Sequence, residues 1–151
     1  MKSVIQRVKH ASVVVDGETI GKIDEGLMIL LGVYEGDTTA DADILAAKTA
    51  NLRIFTDSED KMNLSVKDID GECLVISQFT LCADLHKGNR PSFTDSAKPD
   101  EAEKLYEYFM KKLSENGVRN VQHGKFGAHM EVSLLNNGPV TIMHDSKMWV
   151  K

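Results

Sequence analysis

The run SQFTLCAD, Ser77 to Asp84, sets two hydroxyls and an amide, on Ser77, Thr80 and Gln78, around Phe79. It closes ECLVIS, the most strand-like stretch of the chain. Such groups at a strand end either satisfy nearby backbone or line a site, and side-chain-to-backbone bonding is the commoner use of Ser and Thr. A second candidate is Gly138-Pro139 in LLNNGPVTIMHD. Proline fixes φ, has no N–H, and forms the one kind of peptide bond with an appreciable cis population. The pair reads as a turn before a strand, or as part of a site itself.

Other chemistries find little support. His10, His86, His123, His129 and His144 are scattered, and no two share the i, i+4 spacing of a zinc-binding helix. Cys73 and Cys82 lie nine residues apart without CxxC spacing and read as reduced, buried thiols. No metal and no cofactor are expected. The formal charge of −5 argues against a protein that coats nucleic acid by bulk attraction. It leaves room for a local basic lip on DLHKGNRPSF, with His86, Lys87 and Arg90, or on HGKFGAHM, with His123, Lys125 and His129. Either segment also reads as a plain solvated loop.

The elements that must carry these residues are legible in outline. SVIQRV and ASVVVDG are β-branched, DGE signals a hairpin, and TIGKI and GLMILLGVY continue as strands. A helix is predicted from Thr39 to about Leu52, capped by Thr38 or Thr39, with Asp41 and Asp43 in its first turn and Ile44, Leu45, Lys48 and Leu52 along one side. RIFT is a short strand, DSEDKMNLSVKDIDG a polar connection, and ECLVISQF a central strand. Pro99 suits a first helical position, and Ala102, Leu105, Tyr106, Phe109, Met110 and Leu113 form an amphipathic stripe ending at Gly117. That stripe reads as core. VRNVQ, AHMEVSLL and PVTIMHD then return to β.

At 151 residues the chain has length for one domain with a real core. The order β, α, β, α, β, with hairpins at both ends, predicts a single α+β domain over 1–151, β-rich, with packed, barrel-like sheets and two main helices on one side. No apolar run reaches the roughly 18 residues of a membrane span, and MKSVIQRVKH lacks the apolar centre of a signal peptide. A cytoplasmic protein is expected.

Taken together, SQFTLCA, GNRPSF, GKFGAHM and NNGPVT, with QRVKHASV near the start, resemble the D-aminoacyl-tRNA deacylase family in order, spacing and length, from residue 1 to the C-terminus. SQFTL paired with N-x-G-P-V-T is the specific signature. The resemblance implies a homodimeric, cofactor-free enzyme of translation quality control. It would bind the tRNA 3′ end and hydrolyse the ester of a D-amino acid, or of glycine on tRNA-Ala. It further implies that Ser77, Gln78, Phe79 and Thr80 line the catalytic pocket, and that Gly138 and Pro139 form a Gly-cisPro element that enters the partner's pocket and excludes L-side chains. By the same resemblance Arg7 braces that element, Phe126, Ala128 and Met130 form a pocket wall, and Arg90 meets the tRNA end. Position 137 is Asn where many relatives would carry Asp.

The chemistry suits such an enzyme. An aminoacyl ester is already reactive, and a carbonyl under attack needs donors aimed at its developing oxyanion, which the N–H groups of Phe79 and Thr80 would supply. The vicinal 2′-hydroxyl of the terminal ribose would assist the attacking water. Three alternatives stay open from sequence. One is a covalent hydrolase with Ser77 or Thr80 as nucleophile and His129 or His144 as base. Another is a noncatalytic module holding an RNA end through HKGNRPSF and GKFGAHM. The third is a related deacylase with a trans Gly-Pro bond and relaxed chirality.

Overall fold

Two continuous apolar runs, GLMILLG and ECLVIS, dictate the centre of the molecule, because strands without polar alternation must be buried on both faces. The computed structural model describes residues 1–150. In it these runs are β3 (Gly26–Gly32) and β6 (Glu72–Ser77), paired in parallel. Around them lie β1 (Lys2–Val15), β2 (Glu18–Ile23), β7 (Asn120–His123) and β8 (Glu131–Asp145). The order is β2-β1-β3-β6-β7, with β8 on the other edge of β1. A two-stranded ribbon, β4 (Phe55–Thr56) and β5 (Met62–Leu64), stands apart.

The sheet divides the core in two. Leu27, Ile29, Leu31, Cys73 and Val75 face helices α1 (Thr39–Ala50) and α2 (Pro99–Glu115). The alternate positions, Met28, Leu74 and Ile76, meet Ala11, Val13 and Ile23 from the far end of the strand order. Strands distant in that order share one apolar interior because the sheet curls back on itself. The architecture is thus α+β, strand-rich and barrel-like, with two helices.

Several boundaries differ from expectation. SVIQRV and ASVVV are one strand, β1, whose first half pairs with β3 and second half with β2. EVSLL and PVTIMHD are likewise one strand, β8, so no hairpin closes the C-terminal end, while Ala128, His129 and Met130, expected in the strand, precede it. Both halves of β8 pair with β1, and the segment between them bulges without turning back. Helix α1 buries Asp41, Ala42, Leu45, Ala46, Thr49 and Ala50, whereas Lys48 is exposed and Ile44 half-buried. Its alanines are small and spread among polar residues, so the sequence shows no single apolar stripe to set its phase. The α1 start is held as expected, with the Asp41 carboxylate accepting the Thr38 N–H at 2.8 Å. Helix α2 begins at Pro99 and buries Ala102, Tyr106, Phe109 and Leu113, as its stripe predicts.

Candidate active site

The parallel strands β3 and β6 end side by side, Leu31 opposite Ser77. There the chain turns: the Gln78 N–H donates to the Leu31 carbonyl at 2.8 Å, and Phe79–Cys82 makes a 3-10 turn. Gly32 allows this, since a Cβ there would meet Leu81 Cβ at 2.9 Å and the Gln78 carbonyl at 3.1 Å. A helical turn leaves its first N–H groups without internal partners. Here those belong to Phe79 and Thr80, and neither has an acceptor among the described residues.

A cleft of about 750 Å³ opens at this strand end. Leu31, Val33 and Ile76 form its floor, Ser77, Gln78 and Phe79 one side, and Phe126, Ala128, Met130 and Val132 the other. The first turns of α2, with Lys98, Pro99, Ala102 and Tyr106, and the segment from Phe93 to Ala97 complete the rim. Tyr106 donates its hydroxyl to the Val75 carbonyl at 2.9 Å and packs its ring 6.0 Å from that of Phe126. Burial pushes its phenol well up, so it stays a neutral donor. Phe79 is 57% exposed and meets Phe93 edge-on at 5.0 Å, which leaves an open aromatic face at the mouth.

The cleft therefore gathers Ser77, Gln78, Phe79, Phe126, Ala128 and Met130. Thr80 lies outside the lining, exposed, with its Oγ1 accepting from Gln78 Nε2. Arg90 is also outside, in an exposed loop pinned by the backbone pairing of Asp84 with Ser92. In that loop His86 is held above its ordinary pKa by its hydrogen bond to Asp84. Of the two candidate bases, His129 lines the cleft, whereas His144 is buried elsewhere, edge-on to Trp149 at 5.3 Å. Among the described residues no three His, Cys, Asp or Glu side chains gather to hold a metal ion.

Arg7, Gly138 and Pro139 form a separate station. Between the pairs Val8–Asn136 and Gln6–Thr141 the β1–β8 register shifts, so Asn137, Gly138, Pro139 and Val140 stand opposite Arg7 alone. Arg7 is buried and donates from Nε to the Asn137 carbonyl and from Nη1 to the Ile54 carbonyl, both at 2.7 Å. Gly138 has φ +147°, and a Cβ on it would lie 3.1 Å from Arg7 Nη2. The Gly138-Pro139 bond is cis, and both residues are exposed and outside the cleft of their own chain. The pair is neither a strand-initiating turn nor part of the intrachain pocket.

Three residues of these sites escaped sequence reasoning. Phe93 is a lone aromatic in a loop, with no periodicity to mark it. Tyr106 sits in the core stripe of α2 yet also walls the cleft. Asn136 opens the N-x-G-P-V-T motif, but only the structure shows what its amide holds.

A family model described as D-Tyr-tRNA(Tyr) deacylase matches residues 4–145. Proteins described as D-aminoacyl-tRNA deacylase from Thermosipho melanesiensis and Dehalococcoides mccartyi are 53% and 56% identical over 97% of this chain, and the match spans 98% and 95% of their lengths. A solved structure described as c-Myc DNA Unwinding Element Binding Protein superposes with a TM-score of 0.91 at 41% identity, over 96% of this chain and 98% of that one. Another, described as a probable eukaryotic D-amino acid tRNA deacylase, gives a TM-score of 0.80 over 95% of this chain and 97% of that one. At 16% identity it is a likeness of fold alone.

Proposed function

The chain belongs to the D-Tyr-tRNA(Tyr) deacylase family, and we propose that it hydrolyses the ester joining a D-amino acid to the 3′-terminal adenosine of tRNA, in the cleft beside Phe79. The observation that carries this reading is the pair of unpartnered N–H groups on Phe79 and Thr80, at the strand-end turn whose Ser77, Gln78 and Phe79 line the cleft. Donors aimed at the position of an oxyanion stabilise the transition state more than the ground state, which is what accelerates acyl transfer.

In this reading the exposed ring of Phe79 stacks on the terminal adenine, as aromatic faces do on unpaired bases. The ester carbonyl points at the two N–H groups. A water oxygen adds to the carbonyl carbon, the negative charge passes to the carbonyl oxygen, and collapse breaks the bond to the ribose 3′ oxygen, which takes up a proton. The neighbouring 2′-hydroxyl orients the water. Gln78 and Thr80, joined through their side chains, hold the turn, and Arg90 meets the tRNA strand outside the cleft. No side-chain nucleophile is needed.

The resemblance also suggests the source of chiral selection. Gly138-Pro139 lies outside its own cleft, so it reaches a substrate only from a second copy of the chain. In a two-fold dimer it would close the partner's cleft and crowd any side chain on the L face of the α-carbon. Glycine, with no side chain, would be cleaved, including glycine mischarged on tRNA-Ala. The chain acts as one domain, and such proofreading belongs where translation occurs, in the cytoplasm. No helix of the described residues is long and apolar enough to cross a membrane. DNA binding, the property in one relative's description, is not adopted, because a formal charge of −5 offers no bulk attraction for a duplex.

The test is deacylation of matched D- and L-tyrosyl-tRNA by chelator-treated protein. Release of D-tyrosine with L-tyrosyl-tRNA spared is expected. Retention of the RNA end without turnover of either ester would identify a binding module, and a trapped acyl-enzyme a covalent hydrolase.

A further inference from the structure

A bulge of this size leaves backbone groups that a continuous ladder would have satisfied, and each such group must find a partner. At Val140, where β8 rejoins β1, the partner is the side chain of Asn136. Its Oδ1 accepts the Val140 N–H at 2.8 Å, and its Nδ2 donates to the Val140 carbonyl at 3.3 Å. Asn presents a donor and an acceptor side by side as a peptide does, so one side chain replaces a missing strand residue. The amide is oriented by Thr141, whose Oγ1 accepts from Asn136 Nδ2 at 3.3 Å and from Gln6 Nε2 at 3.4 Å.

The exposed dipeptide is thus held from both sides, with Arg7 gripping the carbonyl before it and Asn136 gripping the residue after it. We infer that Asn136 is a positioning residue for chiral selection, fixing through Val140 where Gly138-Pro139 stands against the substrate. The inference rests on the reading that this dipeptide meets the α-carbon of the aminoacyl group. Asn136 touches no reacting atom. Its part is to deny the dipeptide the freedom to retreat, and a barrier that selects by steric rejection is only as selective as it is rigid.

Asn136→Ala removes both bonds to Val140 and the one to Thr141, while Asn136→Asp keeps an acceptor for the Val140 N–H and loses the donor. The experiment measures kcat/KM on D- and L-tyrosyl-tRNA, together with amide hydrogen exchange at Val140, thermal midpoint and dimer mass. In Asn136→Ala the D:L ratio should fall at least tenfold and Val140 exchange rise at least tenfold, at unchanged dimer mass. In Asn136→Asp exchange should stay slow and the ratio should lie between those of the alanine variant and the parent. An unchanged D:L ratio in Asn136→Ala, while Pro139→Ala lowers it, would overturn the inference and leave the role of the dipeptide intact. An unchanged ratio in Pro139→Ala would overturn the reading beneath it. If Asn136→Ala does not fold, Asn136→Asp decides: a ratio lowered threefold or more supports the inference, and an unaltered ratio ends it.

Discussion

Arg7 and Asn137 are joined by a 2.7 Å bond from the guanidinium Nε–H to a main-chain carbonyl, across 130 positions of chain. The same guanidinium donates to Ile54, so one buried cation ties the β8 bulge to the segment leading into β4. Hydrogen bonds from charged donors contribute more than neutral ones, and their loss strands buried acceptors. Arg7→Ala should cost about 2–4 kcal/mol of unfolding free energy, read by denaturant titration. Arg7→Lys should recover only part of it, because one ammonium does not reproduce a planar fork. Loss below about 0.5 kcal/mol in the alanine variant would show that the tie is incidental.

Thr80 stands outside the cleft with its hydroxyl engaged by Gln78. If backbone N–H groups carry the oxyanion, Thr80→Ala keeps both donors and should lose less than about 10²-fold in kcat, below the range seen when a principal transition-state group is removed. A loss on the order of 10³-fold at unchanged KM would make the hydroxyl catalytic.

Because Gly138-Pro139 lies away from its own cleft, chiral selection should depend on assembly. Exposed Leu135 and Met143 on the same strand give such an interface apolar area. Light scattering and deacylation at matched concentrations should show a dimer, with D:L discrimination lost on dilution into monomer. A fully active and selective monomer would refute assembly of the site from two subunits.

His144 is buried and its Nδ1 has no partner among the described residues. Burial, and after it the charge of Lys48, hold its pKa below the ordinary 6.5. The unfolded chain therefore takes up this proton first. The stability that neutral His144 contributes is complete above about pH 6.5 and falls as pH drops toward its folded pKa, by up to about 1.4 kcal/mol per unit. Between pH 7 and 5.5 the parent should lose more stability than His144→Gln, by comparison of denaturation midpoints at each pH. Parallel losses would place the acid sensitivity elsewhere.

Much of this could be read from the chain because the governing physics is local. Pro99 and the stripe from Ala102 to Leu113 announce α2, since helix initiation and a 3.6-residue apolar period are properties of adjacent residues. The unbroken apolar runs of β3 and β6 announce central strands for the same reason. The phase expected for α1, with Ile44 and Lys48 beside Leu45, was wrong, because alanine-rich turns look alike until a sheet selects one side.

The two motifs fared differently. SQFT could be placed at a strand end from sequence, and the structure adds that the turn begun by its Phe79 leaves two N–H groups unpartnered and sets Thr80 outside the cleft lining. The Gly-Pro segment could not, since its local signals are those of a turn. It is instead a bulge in one long strand, held by Asn136 and by Arg7, which the Ile54 carbonyl anchors in turn. Sequence by itself determined the residue types, the helices, the buried strands and the family signature. The signature implied that Arg7 braces the Gly-Pro element; the tertiary fold alone decided that it does so through the Asn137 carbonyl, that Asn136 closes on Val140, and that Gly138-Pro139 stands outside the cleft of its own chain. Those are contacts between strands or across a bulge, set by register, and register is fixed only when the whole sheet buries its faces.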